Sequence, residues 1–263
     1  MTLLFLKLVL VPALVACVTI AGRRWGIRVG GLLTALPMVA GPALCFYAIE
    51  QGDAFAASAA RTTLLGISGT ATWCVVYSHC ARRFNWLLSL LAGWSAFAVV
   101  AALMYGVELG GLGDLALTSG SLLIAQRLLP SPAVGLTRAR PPGWDVPMRM
   151  LVAAALVLVL TSVAGRLGPR LSGLMAAFPI VTVIIAAFTH AQYGPEPVAS
   201  YFRGLLRGLY SFALFCFVFS VALGPLGLGL PAAAFSALVA QLSMQGLILW
   251  RMSVRSSPVP AGT

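Results

Sequence analysis

The residues able to do chemistry in this 263-residue chain are few, and most of them are arginines. Arg24 and Arg28 stand four apart, one helical turn, and Arg166 and Arg170 repeat that spacing 142 positions later. Two guanidinium groups on one face attract anions, so the pairs read as vestibules, one in each copy. The plainer reading is snorkelling to headgroups or capping of the preceding helix. Arg61 and Arg203 obey the same offset and sit about one turn inside apolar stretches. A charge there is costly unless it reaches a carboxylate, the interface or water. Glu50 and Asp53 are the nearby acids for Arg61, and Glu196 for Arg203. Each set serves either as a structural ion pair closing a turn or as a gate around a substrate-facing arginine.

Enzymatic chemistry finds little support. His79 and His190 occupy unrelated positions, and the six acidic residues mostly mark the ends of apolar runs. The sequence carries no Ser/His/Asp set, metal-ligand cluster, phosphate loop or dinucleotide fingerprint, so no enzyme, metal site or cofactor is expected. His190, near Gln192 and Glu196, is the one proton-sensitive candidate. Cys17, Cys45, Cys74, Cys80 and Cys216 lack ligand spacing and lie within or beside apolar runs, as reduced packing residues do.

The elements that must position these groups are membrane helices. Hydrophobic residues make up 60% of the chain and charged ones 9%, with a mean hydropathy of +0.98. Apolar runs are expected to span at 3–21, 30–49, 57–78, 86–105, 111–129, 147–164, 172–191, 201–223 and 229–250. The run at 3–21 resembles a leader, but a single Lys7 precedes its core, so a retained helix is expected. The net charge of +11 comes from arginines in short breaks between runs, which suits positive loops and excludes a nucleic-acid surface.

Without any gap, the 142-residue offset also pairs Pro37 with Pro179, Gly52 with Gly194, Gly66 with Gly208 and Cys74 with Cys216. Residues 1–106 and 147–250 are therefore two copies of a four-helix unit. Residues 107–146 hold a linking helix and a Pro/Arg-rich linker, and 251–263 a polar, disordered tail. Nine spans with the N-terminus outside place 13 of 17 basic residues in the cytoplasm; if 111–129 does not cross, the split falls to 10 against 7. An odd crossing between the copies inverts the second. The fold class expected is thus all-α and polytopic, with two inverted repeats. Arg166 and Arg170 then lie outside, against the charge rule, although Arg24 and Arg28 obey it.

Proline removes an amide donor and clashes one turn back, so Pro37 and Pro179 should break their helices about 10 Å inside the membrane. The groups freed there need protein or water, and each half-helix beginning after a proline presents its positive dipole end. Paired broken helices in inverted repeats point to a transport site at the repeat interface. Gly31, Thr34, Pro37 and Gly41 of the first copy, with Gly173, Pro179 and Thr182 of the second, are expected to line it. Arg61 and Arg203 complete the substrate contacts, and Arg24, Arg28, Arg166, Arg170, Glu50 and Glu196 form gates or vestibules. Gly204 and Gly208, four apart, are expected to admit a close helix approach.

The GLLTALP core at 31–37, its copy GLMAAFP at 173–179, and the aromatics Phe46 and Phe188 that follow resemble the small GlpM-like bacterial membrane proteins. Those carry such a unit once. The resemblance covers two blocks of about 60 residues and implies a membrane address and a kindred fold, with no catalytic or binding residue to transfer. The expectation is a secondary transporter or exporter of a small anionic solute in a bacterial-type cytoplasmic membrane, with its C-terminus inside. A non-transporting scaffold or accessory subunit, or a lipid-handling protein, are the alternatives. Expected partners are the lipid bilayer and the solute, with a homo-oligomer open and nucleic acid excluded.

Overall fold

The computed structural model describes residues 2–131, 142–164 and 179–256; among these the regular structure is entirely helical. Arg166, Arg170 and Gly173, most of the linker and the last seven residues lie outside the described residues. The helices are α1 (Thr2–Trp25), α2 (Ile27–Thr34), α3 (Ala40–Gln51), α4 (Asp53–Cys80) and α5 (Trp86–Met104). They continue with α6 (Gly111–Leu128), α7 (Asp145–Ala164), α8 (Ile180–Tyr193), α9 (Pro195–Leu223) and α10 (Leu230–Ser256).

The expected span at 30–49 is two helices. Between α2 and α3 the backbone leaves helical geometry at 35–39, centred on Pro37, where the ring excludes a continuous ladder. Ala35 N closes onto Leu32 O at 3.3 Å and Leu36 N onto Leu33 O at 3.1 Å, a tightened last turn. Pro42 does not disturb α3, because it falls in the first turn, whose amides have no intrahelical acceptor. In the second half, Pro179 caps α8 and helix begins at Ile180. The hairpins α3–α4 and α8–α9 both turn through a glycine with positive φ, Gly52 at 89° and Gly194 at 78°, positions that a side chain would strain. At the C-terminus α10 continues to Ser256, past the expected end at 250, since no helix breaker occurs before Pro258.

Contacts fix the helix directions. Tyr77 near the end of α4 meets Phe202 near the start of α9 with ring centroids 5.6 Å apart. At the other end, Ala57 lies against Gly224. These two long helices are therefore antiparallel. Arg23 at the end of α1 pairs with Asp145 at the start of α7, so that pair is antiparallel too. The pairing of elements also recurs: α4 packs on α5 as α9 does on α10, and α3 on α4 as α8 does on α9. Likewise α5 touches α8 and α10 touches α3.

One end of the bundle gathers the ends of α1, α4, α6 and α8 with the starts of α7 and α9. The links are Arg23–Asp145, Gln192–Asp145, Tyr77–His190, His79–Leu128 and Arg203–Leu129. That end carries Arg23, Arg82, Arg83, Arg127, Arg149 and Arg203, and exposes Trp25, Trp86 and Trp144. Among the described residues, four helices are long and apolar enough to cross a membrane: α1 over Leu8–Trp25, α5, α9 and α10 over Leu230–Met252. On α5 and α10 one stripe faces inward (Ser89, Gly93, Phe97 and Ala101; Ala233, Ala237, Gln241 and Gln245). The outer faces show Leu87, Leu91, Val99, Phe235, Leu238 and Leu242, as a lipid-facing helix does.

Candidate functional site

The break at Pro37 frees the last carbonyls of α2, and the second half of the chain supplies their donors. Gln245 Nε2 donates to Leu32 O at 2.8 Å and Gln241 Nε2 to Ala35 O at 3.1 Å. Both glutamines are buried on the inner stripe of α10, one turn apart. Gln245 Oε1 accepts from the Ser211 hydroxyl on α9, whereas Gln241 Oε1 is buried without a partner. Two glutamines four residues apart in an otherwise apolar terminal span were the available sequence signal.

Beside the break lies a directed chain of hydroxyls. Thr34 Oγ1, at the end of α2, donates its only proton to Gly30 O at 2.9 Å. It must therefore accept from the Tyr201 hydroxyl, 2.8 Å away on α9. Thr182, in the first turn of α8, hydrogen-bonds to the same Tyr201 oxygen. The order is Thr182, Tyr201, Thr34, Gly30, so the end of α2 and the start of α8 meet on one buried phenol. Thr34 and Thr182 were expected at this interface; Tyr201 was not, being one aromatic among many. Its ring lies 5.8 Å from that of Phe202, which packs on Trp73 and Tyr77, and Tyr77 is hydrogen-bonded to His190 Nδ1 at 3.2 Å.

The glycines and prolines divide by role. Gly31 and Gly204 are where α2 and α9 touch backbone to backbone. A Cβ on Gly31 would fall 2.0 Å from Tyr201 O, and one on Gly204 1.9 Å from Arg28 O. Gly208 faces Leu32 O in the same seam. Pro37, Gly41 and Pro179 are buried around the break, with Gly41 against Pro37 and Phe215 at ordinary contact distance.

Arg61 and Arg203 take hold of α6. Arg61 Nε pairs with Asp114, a fully buried carboxylate in the first turn of α6. The acid is thus neither Glu50 nor Asp53, which are exposed about the α3–α4 turn. Arg203 donates to Leu129 O at 3.1 Å and Pro130 O at 2.7 Å, carbonyls at the other end of the same helix. His79 and Arg82 of the first unit add contacts to Leu128 O and Ser131 O there, where the Arg82 charge suits the negative dipole end. Repeat-related arginines therefore grip opposite ends of the linking helix, at Asp114 and Leu129, about 22 Å apart at helical rise. Of the polar residues that lower the hydropathy of 111–129, Asp114 and Thr118 are buried. Thr118 bonds Leu64 O and Ser121 bonds Ser68 Oγ, both at 3.0 Å, while Gln126 reaches Leu206 O.

Arg24 and Arg28 are exposed at the start of the broken segment, with the Arg24 guanidinium 6.0 Å from the Trp25 ring. Glu50 closes α3 and Glu196 lies in the first turn of α9. A charged cluster unmarked by sequence joins α1, α7 and α8. Asp145 takes both oxygens' worth of Arg149 Nε at 2.9 Å, together with Arg23 and Gln192. Arg149 is itself buried, lies 5.2 Å over the Phe188 ring and points NH1 at Ile185 O. Its position at the edge of a run made it look like an orienting charge.

No family model, curated protein or solved structure matches this chain.

Proposed function

We propose that the protein is a secondary transporter of a small anionic solute, working by alternating access between two inverted four-helix units. The observation that carries this reading is the meeting of Thr34 and Thr182 on the Tyr201 hydroxyl, at the end of α2 and the start of α8. Interrupted helices facing each other across a repeat interface are where secondary transporters hold their substrates. The antiparallel α1–α7 and α4–α9 pairs, the recurring helix partners and the twin glycine turns support inversion. The gathering of arginines at one end supports nine crossings with that end in the cytoplasm of a bacterial-type cell.

At such a site a substrate oxygen would take over the donors that Thr182 now spends on Tyr201 and Tyr201 on Thr34. The positive end of α8 and the nearby Arg149 charge, which reaches Tyr201, favour an anion. Arg61 and Arg203 leave the substrate list in this reading, because their donors are committed to α6. They become the fixed points about which one unit rocks against the other.

The test is flux into proteoliposomes from a panel of small mono- and dicarboxylates, phosphate and sulfate. Wild type should carry at least one member, and Tyr201→Phe should lower that flux at least tenfold. Because only one hydroxyl is lost, the unfolding free energy should move by no more than about 1 kcal/mol. A folded wild-type protein that carries none of the panel sinks the proposal in favour of a non-transporting membrane component.

A further inference from the structure

The groups that serve the break at Pro37 hold more oxygen than they have protons to answer. Gln245 and Gln241, both buried, give their nitrogens to Leu32 O at 2.8 Å and Ala35 O at 3.1 Å. Ser211, also buried, has one hydroxyl proton and two oxygens within reach of it, Gly208 O and Gln245 Oε1. Gly208 packs on the same turn of α2, where an added Cβ would lie 2.8 Å from Leu32 O and 2.7 Å from the Ala35 methyl. When the Ser211 proton rests on Gly208 O, Gln245 Oε1 and Ser211 Oγ stand side by side with no hydrogen between them. Gln241 Oε1 is buried and has no partner.

Three neutral side-chain oxygens are thus available at the C-terminal end of α2, where the helix dipole favours positive charge. An amide that donates through its nitrogen also carries more negative charge on its oxygen. No carboxylate joins the group, since Glu50 is exposed and Asp114 is held by Arg61. Divalent ions seek carboxylates, whereas neutral oxygens suffice for alkali cations. We infer that Ser211 Oγ, Gln241 Oε1 and Gln245 Oε1 hold an alkali-metal cation, sodium or potassium, against the end of α2. Thr34 ends the same helix and accepts from Tyr201, so the ion steadies the substrate-facing end of α2 and serves as the coupling ion. The coupling role rests on the transport reading; the binding does not.

The experiment uses the full chain in neutral detergent, with the thermal unfolding midpoint read in sodium, potassium or N-methylglucamine chloride at one ionic strength. Sodium or potassium should raise the midpoint saturably above its value in N-methylglucamine. Gln241→Leu should raise the half-saturating concentration about tenfold or more, the scale of one contact between a charge and a neutral oxygen. Its midpoint in N-methylglucamine should stay near that of wild type, which separates a site defect from misfolding. Ser211→Ala should weaken the response as well. Gln126→Leu, which loses an amide donated to Leu206 O elsewhere in the bundle, should keep all of it. Equal wild-type midpoints in the three salts, as a buried water at Gln241 would give, overturn the site. A full response in Gln241→Leu overturns its placement. In proteoliposomes, flux of a carried solute should need an inward gradient of the same cation; flux indifferent to that gradient keeps the site and overturns the coupling role. A cation-dependent midpoint in a protein that carries no solute sinks the transport reading and the coupling role with it, and leaves the site standing.

Discussion

Gln245→Leu and Gln241→Leu distinguish a helix break served by specific donors from one merely packed in apolar surroundings. Gln245 makes two hydrogen bonds, to Leu32 O and from Ser211 Oγ; Gln241 makes one, to Ala35 O, and carries an orphaned Oε1. Interhelical hydrogen bonds within membranes average about 0.6 kcal/mol, with an upper end near 1.7. Losing both bonds at Gln245 should therefore cost about 1–2 kcal/mol. Fallback acceptors and donors keep it from costing more, since Ala35 N still reaches Leu32 O and Ser211 Oγ still reaches Gly208 O. At Gln241 the lost bond is offset by removal of an unsatisfied acceptor, worth about 1 kcal/mol or more, so the change should be near neutral. The assay is reversible denaturant unfolding in mixed micelles, with Leu242→Ala as a control because Leu242 faces outward from the same helix. Gln245→Leu must be the most destabilising of the three. If Gln241→Leu costs as much or more, the glutamines are not matched to the break as described.

Other substitutions probe the seam and the linking helix. Gly31→Ala or Gly204→Ala places a methyl within about 2 Å of a backbone oxygen and can be relieved only by parting α2 from α9, so each should cost at least about 3 kcal/mol. Gly120→Ala, on α6 with nothing within 4 Å of the added methyl, should be neutral or gain up to about 1 kcal/mol in the same unfolding assay. Asp114→Asn should cost roughly 1–2 kcal/mol, less than a fully enclosed pair, because Arg61 keeps 34% of its side chain exposed. Adding Arg61→Gln should recover part of that loss; strict additivity in the double-mutant cycle would show that the two do not act as a pair.

Membrane-type helices and the break at Pro37 were legible in the chain because each follows from a local rule. Apolar length sets the helix, and a proline ring excludes the amide ladder whatever surrounds it. The glycine pair at 52 and 194 was legible as a repeat, though not as a turn with positive φ, since composition does not reveal dihedral angle. Partners were the hard part. Arg61 has Glu50 and Asp53 close in sequence, yet it pairs with Asp114, 53 residues away. Local proximity loses here because Asp114 is buried, where its charge must be answered, whereas Glu50 and Asp53 are already solvated. Tyr201 was missed for a related reason: an aromatic in an apolar helix looks like packing until its hydroxyl is placed.

The two units also part ways at their last helices, and the difference has a physical cause. The inward stripe of α5 is Ser89, Gly93, Phe97 and Ala101; that of α10 is Ala233, Ala237, Gln241 and Gln245. In register, Phe97 stands where Gln241 does and Ala101 where Gln245 does. α10 touches α3 and reaches the α2 break, so its stripe must supply donors to carbonyls that a proline has freed. Phe97 instead covers Gly69 on α4, whose added methyl would meet the Phe97 ring at 3.0 Å. That contact asks for a flat apolar face. A duplicated unit that kept two identical stripes would leave one break unserved or bury two amides against a continuous helix, each costing about 1–3 kcal/mol per orphaned group. Divergence at those positions therefore matches each stripe to what it packs on, amide donors where α2 is broken and an aromatic ring against Gly69 of α4.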